Sequence, residues 1–499
     1  MSVPPSASQP GSESAPLPLW ARAADALSLT LIGLTLLVTM TGGFRLRIGS
    51  LRIAVTSPLR LLVAAVVIAL VRYLLVPRRP VFAELGAAAN RLFRTAPART
   101  ALVAVAGTRP AILFVGYFAV AAFGYVHERP PVRFSSNEAV NLQARWDAAW
   151  YLNIATEGYR FDARAPREQQ NIVFFPAYPM AVRIAGRLLG GSVGAHLLGG
   201  TIVSWAAFLV ALAYLFRLAR DLIGTEDGAR AAVLLLAAYP FALFYGAIYT
   251  ESLYLLGAVA ACYHARRREY LACAAWGLMV GLTRPNGCFL SLPLLLIAAA
   301  PWLPAWLHTS ASAGRRVAAR RVDSTDAPSR TPPSLTLALT AAAAPGVGVL
   351  AYAAFVWQMT GNPLAWAEGH AAWGREYVGL WALASSWIRD LGRSGLYEVT
   401  SVVPIDVLNA LAALFVLGLS VPVWRRFGLP YALLILVNLL PPLAAGGFLS
   451  AGRFSAVLFP AFIWLGGTIP PAQRSAWLAS FMAVQALNAS LFYTWHELF

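Results

Sequence analysis

The chain has 499 residues, of which 59% are hydrophobic and only 12% are charged. A soluble domain is nearer half apolar and a quarter charged, so a soluble globular enzyme is excluded. The net charge of +17 would point to nucleic acid in a soluble protein, but here most basic residues sit in short loops between apolar runs; the charge reads as membrane topology and lipid-headgroup contact, with no nucleic-acid partner.

In chain order, residues 1–25 form a Pro/Ser-rich polar tail, expected to be disordered and cytoplasmic. Apolar runs follow at 26–42, 59–76, 110–126, 196–216, 229–247, 251–264, 270–283, 285–300, 334–357, 403–422, 428–447, 454–468 and 475–493, about thirteen spans. The runs are continuous rather than alternating with period two, which predicts an all-α polytopic transmembrane bundle and not a barrel. Residues 26–109 read as an amino-terminal two-span extension with a basic loop, and 110–300 as a core containing a large external loop, 127–195. Residues 301–333 read as a disordered basic cytoplasmic loop and 334–499 as a carboxy-terminal transmembrane part. Loop 127–195 is rich in Trp, Tyr, Phe and Arg, and is expected to hold one or two helices lying along the membrane plane.

Arginine placement sets the orientation. Loops carrying Arg78, Arg79, Arg91, Arg94, Arg99 and Arg109, then Arg217 and Arg220, Arg266 to Arg268, Arg315 to Arg321, and Arg425 and Arg426 fall on one side, which the positive-inside rule makes cytoplasmic. The amino terminus is then inside, in a plasma (inner) membrane, and the carboxyl terminus outside. Residues 43–58, with Arg45, Arg47 and Arg52, fall outside against the rule; a short amphipathic hairpin there would accommodate them. All 39 basic residues counted as Lys or Arg are arginine, which removes the lysine chemistries such as Schiff bases and the P-loop. Cys262, Cys273 and Cys288 lie in or at the ends of apolar runs, with no disulfide or metal spacing, so neither a cofactor nor a divalent metal is indicated.

The polar clusters with chemical character all fall on the external side. In Arg145-Trp146-Asp147-Ala148-Ala149-Trp150-Tyr151, a carboxylate stands among interfacial aromatics. Taken as a helix over 141–159, Trp146 and Trp150 share one strip and Asp147 and Tyr151 the next. The aromatics would seat this helix at headgroup level and aim Asp147 into a polar cavity, where a single carboxylate can accept the proton of an alcohol. The alternative is an exposed polar residue on an interfacial helix. Gln169, Gln170 and Asn171 suit sugar hydroxyls, and Phe174 to Pro179 reads equally as a structural elbow. Glu251 opens an apolar run, where a first-turn carboxylate needs no function to explain it, yet it stands as a candidate sugar contact together with Asn286 and His370. Arg284-Pro285-Asn286-Gly287 breaks two apolar runs as a phosphate site would, or as a hairpin with a snorkelling arginine. Arg375 and Arg453 are further external arginines, and several guanidiniums around one carboxylate suggest an anionic donor. No Rossmann fingerprint, P-loop, HExxH or Asp-x-Asp pair is present.

The run from Arg145-Trp146-Asp147 through Tyr151, Ile154-Ala155 and Gly158-Tyr159, followed by Phe174-Phe175-Pro176 and Pro179, resembles the PIG-V mannosyltransferase family of GT-C-type glycosyltransferases. Tyr249-Thr250-Glu251, Thr283 to Gly287, Gly361-Asn362-Pro363 to Arg375 and Gly452-Arg453-Phe454 resemble its later motifs, so that the likeness covers 110–465. The resemblance implies an inverting transfer of a hexose, typically mannose, from a polyprenyl- or dolichyl-phosphate sugar, with the catalytic carboxylate in the first large external loop, at Asp147. Eukaryotic members build GPI anchors; the Ala- and Arg-rich usage here fits a bacterial source, so the acceptor, whether glycan, lipid or protein, does not carry over. The expectation is therefore a membrane glycosyltransferase active on the non-cytoplasmic face. Asp147 is its base, and Arg284, Arg453 and Arg375 bind the donor phosphate. Trp146, Trp150, Tyr151, Gln169, Gln170, Glu251, Asn286 and His370 contact sugar or acceptor. The competing class is a lipid-linked saccharide flippase or transporter, which would need a polar path through the bilayer.

Overall fold

The computed structural model describes residues 17–41, 44–48, 51–55, 57–76, 94–126, 132–135, 137–165, 167–304, 334–496 and 498. Most of the expected tail 1–25, the basic stretch with Arg78, Arg79 and Arg91, and the expected loop 301–333 from residue 305 onward lie outside them. The chain divides into two compact units, Met1–Arg94 and Thr95–Phe499.

In the first unit, α1 (Leu19–Thr41) and α2 (Pro58–Leu75) pack against each other, joined by an antiparallel hairpin of β1 (Phe44–Ile48) and β2 (Leu51–Val55). The hairpin falls where Arg45, Arg47 and Arg52 resisted the orientation rule, and its register sets Arg47 opposite Arg52. Asp25 of α1 and Arg72 of α2 form an ion pair at 3.0 Å, buried between the two apolar helices.

Among its described residues, every regular element of the second unit is a helix. Its elements are α3 (Ala96–Phe123), α4 (Glu138–Asn141), α5 (Ala148–Thr156), α6 (Ala177–Leu188), α7 (Val193–Ile223), α8 (Glu226–Ala238), α9 (Glu251–Arg266), α10 (Tyr270–Gly281) and α11 (Ser291–Ala298). Then follow α12 (Leu335–Thr360), α13 (Ala365–Glu368), α14 (Leu380–Val402), α15 (Pro404–Phe427), α16 (Leu429–Gly446), α17 (Ala451–Ala456), α18 (Phe459–Thr468) and α19 (Arg474–Tyr493). The expected boundary at 109/110 lies inside the continuous α3; the division between compact units falls before it.

Among the described residues, six helices are long and apolar enough to cross a membrane: α3, α7, α12, α15, α16 and Pro471–Tyr493, which contains α19. Other apolar runs read as spans are shorter helices, of 13 residues for α8, 16 for α9, 12 for α10 and 10 for α18. Hydropathy counts apolar runs whether lipid or protein surrounds them. Here α9 is buried along nearly its whole length, so it has no bilayer thickness to match.

The run 229–247 in particular is an α-helix that stops at Ala238 and continues to Thr250 as turns around a short 3-10 helix, Ala242–Tyr245. Such backbone is tolerated inside a membrane protein only where protein satisfies its polar groups. Arg109 does much of this, donating from Nη1 to the Ala242 carbonyl at 2.6 Å and from Nη2 to that of Ala237 at 3.1 Å. Gln485 donates to the Tyr239 carbonyl at 3.0 Å, Asn488 to that of Pro240 at 3.0 Å and Ser204 to that of Ala247 at 2.7 Å. Arg109 is therefore a buried residue inside α3 and not part of a cytoplasmic loop, a correction to its expected place. Phe208 stacks on Tyr245 at 4.4 Å beneath it, at the centre of the core.

Close helix crossings complete the frame. Gly277 and Gly281 of α10 sit against Pro345 and Gly348 of α12; a Cβ at Gly281 would lie 2.0 Å from the Pro345 carbonyl oxygen. Small residues at such spacing let helix backbones meet in an apolar medium.

Candidate active site

The expected helix over 141–159 is broken. α4 ends at Asn141, α5 begins at Ala148, and Trp146 between them has φ of 54°, the left-handed region. The break is imposed by Arg145, which is fully buried. It donates to the Asn141 carbonyl at 2.8 Å and the Tyr493 carbonyl at 3.1 Å, and pairs with Glu138. Its guanidinium also lies over the rings of Trp495 at 5.6 Å and Tyr125 at 5.7 Å.

The sharp turn puts Asp147 at the position before α5 where a side chain normally caps the helix, yet its carboxylate makes no capping bond. Instead Oδ2 accepts from Arg453 Nη1 at 2.9 Å. The Asp147 N–H donates to the Tyr249 hydroxyl at 3.1 Å, and that hydroxyl donates to the Arg145 carbonyl at 3.2 Å. The Asp147 side chain remains 16% exposed.

Arg453, in the short α17, turns its Nε to Glu251 Oε1 at 3.1 Å. Glu251, in the first turn of α9, has no exposed surface, and the same oxygen receives Arg284 Nη2. Arg284 Nε donates to Thr250 Oγ1 at 2.6 Å. The result is one unbroken chain of alternating charge, Asp147–Arg453–Glu251–Arg284. Glu251 Oε2 and Arg284 Nη1 are buried with no hydrogen-bond partner among the described residues. Burial of that kind is costly and marks a site built for something else to complete it.

Arg375 joins from the segment before α14. The guanidinium carbons of Arg375, Arg453 and Arg284 lie 5.1, 5.8 and 5.9 Å from the centre of the Phe454 ring. Arg375 has no carboxylate partner among the described residues; its nearest polar contact is the Leu449 carbonyl at 3.5 Å. Burial, and then the neighbouring cation Arg453, push its pKa down to about 10. Burial alone would lower Arg453 too, but Glu251 and Asp147 hold it well above the ordinary arginine range. Three guanidiniums face two carboxylates, so the cluster carries one uncompensated positive charge.

The remaining expected residues divide. Trp150 packs against Phe174 at 5.8 Å and Trp373 at 5.7 Å, and lines a polar cavity of about 240 Å³ with Asn153, Asp162, Gln169 and Gln170. Gln170 spends its amide on the loop, accepting from the Asp162 N–H and donating to the Asp162 and Ala165 carbonyls. Gln169 reaches the Ala372 carbonyl at 3.3 Å. Tyr151 is core rather than surface, packed edge-on against Phe174, Tyr178 and Tyr249. Trp146 is half-buried with its ring 5.2 Å from that of Trp495. Asn286 donates to Asn438 of the α16 span at 3.1 Å, so its amide faces a helix and not the cluster. His370 Nδ1 donates to the Trp366 carbonyl at 2.8 Å; burial, with Arg375 adding to it, lowers its pKa, so it is neutral near pH 7. Glu251, expected to touch sugar, has no exposed surface and is the hub for two arginines.

Tyr249, Thr250, Phe454 and Trp495 carry site geometry to which the sequence reading gave no role. The first three stood within motifs it quoted, and those motifs were the available signal. Among the described residues no group of three or more His, Cys, Asp or Glu side chains is placed to hold a metal ion. Along α9 the cluster sits at the Glu251 end, and Arg266 at the other end lies about 22 Å away at helical rise.

Residues 132–295 match the family model described as Mannosyltransferase (PIG-V). That stretch contains the Asp147 turn, Glu251 and Arg284, and ends before Arg375 and Arg453. No curated protein and no solved structure matches the chain. This segment stands at the heart of an apolar helical bundle, and over it the chain is similar to the PIG-V mannosyltransferases, a likeness to membrane glycosyltransferases.

Proposed function

We propose that the protein transfers a hexose, mannose by its family likeness, from a polyprenyl-phosphate donor to an acceptor hydroxyl on the non-cytoplasmic face, with inversion at the anomeric carbon. The observation that carries this reading is the charge chain Asp147–Arg453–Glu251–Arg284 with Arg375 beside it. A phosphodiester donor has one negative charge, which matches the single uncompensated guanidinium. Arg375 takes the phosphate first, and Arg453 and Arg284, held in place by Glu251, stabilise the charge that grows on the leaving phosphate. Sharing Arg453 with the phosphate loosens its hold on Asp147. Asp147 Oδ1, which makes no hydrogen bond among the described residues, accepts the acceptor proton. The acceptor oxygen bonds to the anomeric carbon as the carbon–oxygen bond to phosphate breaks, and polyprenyl phosphate departs.

Position supports the non-cytoplasmic reading. The cluster and the arginine-rich loop after α9 stand at opposite ends of that helix, and the positive-inside rule puts the arginines in the cytoplasm. The acceptor class is left open between glycan, lipid and protein hydroxyls. The test is purified Asp147→Asn protein supplied with polyprenyl-phosphate mannose. Turnover is expected to fall by roughly 10²- to 10⁴-fold with donor binding retained. Near-normal turnover removes Asp147 from the chemistry, and donor translocation in vesicles without bond formation replaces the transferase reading with a transporter.

A further inference from the structure

We infer that α14 is an interfacial helix, lying in the headgroup layer of the bilayer on the side of the Asp147 cluster with its apolar face toward the acyl chains. Its ends fix its level. At one end the N–H groups of Val378 and Gly379 donate to the Ala444 carbonyl, at 2.9 and 3.0 Å, in the last turn of the spanning helix α16. At the other, α14 stops at Val402 and the spanning helix α15 starts at Pro404. α15 and α16 pack together and are joined through Gly428 alone, so the start of one and the end of the other lie at the same membrane face. A segment of 23 residues tied to one face at both ends cannot cross the bilayer, and α14 bends at Gly395, where φ is 80°.

The surface of α14 supports a lipid occupant. Trp381 is 83% exposed, Ile388 69% and Tyr397 88%. At helical spacing Leu380, Ala384, Ile388 and Leu391 form one strip, with Arg389 and Arg393 on the other side. A water-facing helix does not hold out such an apolar strip. Aromatic residues at the edges of an apolar face, with arginines opposite, are the composition of helices that lie in the membrane plane. The first half is pinned to protein through Trp387 against Phe448 at 5.0 Å and the far end through the buried Val399, while Leu380, Ala384, Ile388 and Leu391 stay exposed. Arg375 lies just ahead of α14 in the chain, so the helix holds that cation at headgroup depth.

The experiment uses the full chain in liposomes of phosphatidylethanolamine and phosphatidylglycerol, with a nitroxide placed by Ile388→Cys or, separately, Arg389→Cys. Both positions are exposed, so neither change disturbs packing, and labelled wild type supplies the background from Cys262, Cys273 and Cys288. Power saturation should show the Ile388 label several-fold more accessible to oxygen than to a water-soluble nickel chelate, and the Arg389 label the reverse. Equal nickel access at both positions overturns the inference by placing α14 in water. Protection of the Ile388 label from both reagents overturns it in favour of a protein partner or a second copy. Trp381→Cys repeats the reading on the same face if the Ile388 variant does not reconstitute.

Discussion

Arg453 Nε sits 3.1 Å from Glu251 Oε1, and through this contact a carboxylate with no exposed surface governs the guanidinium that holds Asp147. Glu251→Gln keeps the shape and removes the charge. Three guanidiniums then face one carboxylate, and the phosphate product is held too tightly. Turnover is expected to drop roughly 10- to 100-fold with KM for the donor unchanged or lower. A tenfold rise in KM at normal turnover would instead make Glu251 a sugar contact. Glu251→Ala, which strands Arg284 as well, should cost about 3–5 kcal/mol of stability in detergent.

Arg375 has a folded-state pKa near 10, below its ordinary 12.5. A base depressed on folding costs stability wherever it is charged, here at every pH below about 10, and the cost fades as pH rises through that value. An anion repays it. Arg375→Gln should therefore raise the ligand-free Tm by about 1–3 °C and abolish the stabilisation that polyprenyl phosphate gives wild type. Wild-type affinity for polyprenyl phosphate should weaken as pH rises through about 10. A variant that keeps the phosphate-induced Tm shift would falsify the role of Arg375.

Arg145 holds the turn before Asp147 through three directions at once. A lysine keeps the charge but not the planar fork. Arg145→Lys should cost about 2–4 kcal/mol in thermal unfolding and lower turnover further, because even about 1 Å of displacement at Asp147 is worth roughly 10²-fold. Unfolding and turnover both within twofold of wild type would show that the turn stands without it.

Gly281→Leu should prevent the α10–α12 crossing, since even a Cβ there meets the Pro345 carbonyl. The expected outcome is loss of folded protein on size-exclusion in detergent, with Gly281→Ala intermediate. Gly392→Ala, at a position with nothing near its Cβ, is the control expected to behave as wild type.

Asp147 stood out in the sequence because a carboxylate among interfacial aromatics is costly unless used, and the structure brings Arg284, Arg375 and Arg453, each singled out separately, into one cluster with it. Glu251 was not: its first-turn place already explains a carboxylate, and its partner Arg284 lies 33 positions on, beyond any local pattern. The break at Trp146 was equally hidden, since Arg145-Trp146-Asp147 has no Gly or Pro and the left-handed backbone is forced by tertiary bonds. α14 escaped notice because an amphipathic helix has too little mean hydropathy to register beside the spans that flank it. The fold class held apart from one hairpin. What hydropathy could not separate was a run facing lipid from a run facing protein, as with 229–247.

Arg145 is anchored by a carbonyl 348 positions further along the chain. During synthesis, the segment bearing Asp147 leaves the ribosome and enters the bilayer long before α19 is made. Its geometry therefore cannot be finished until that helix has been inserted and has folded back. A chain cut short before α19 lacks the carbonyl that fixes the Asp147 turn.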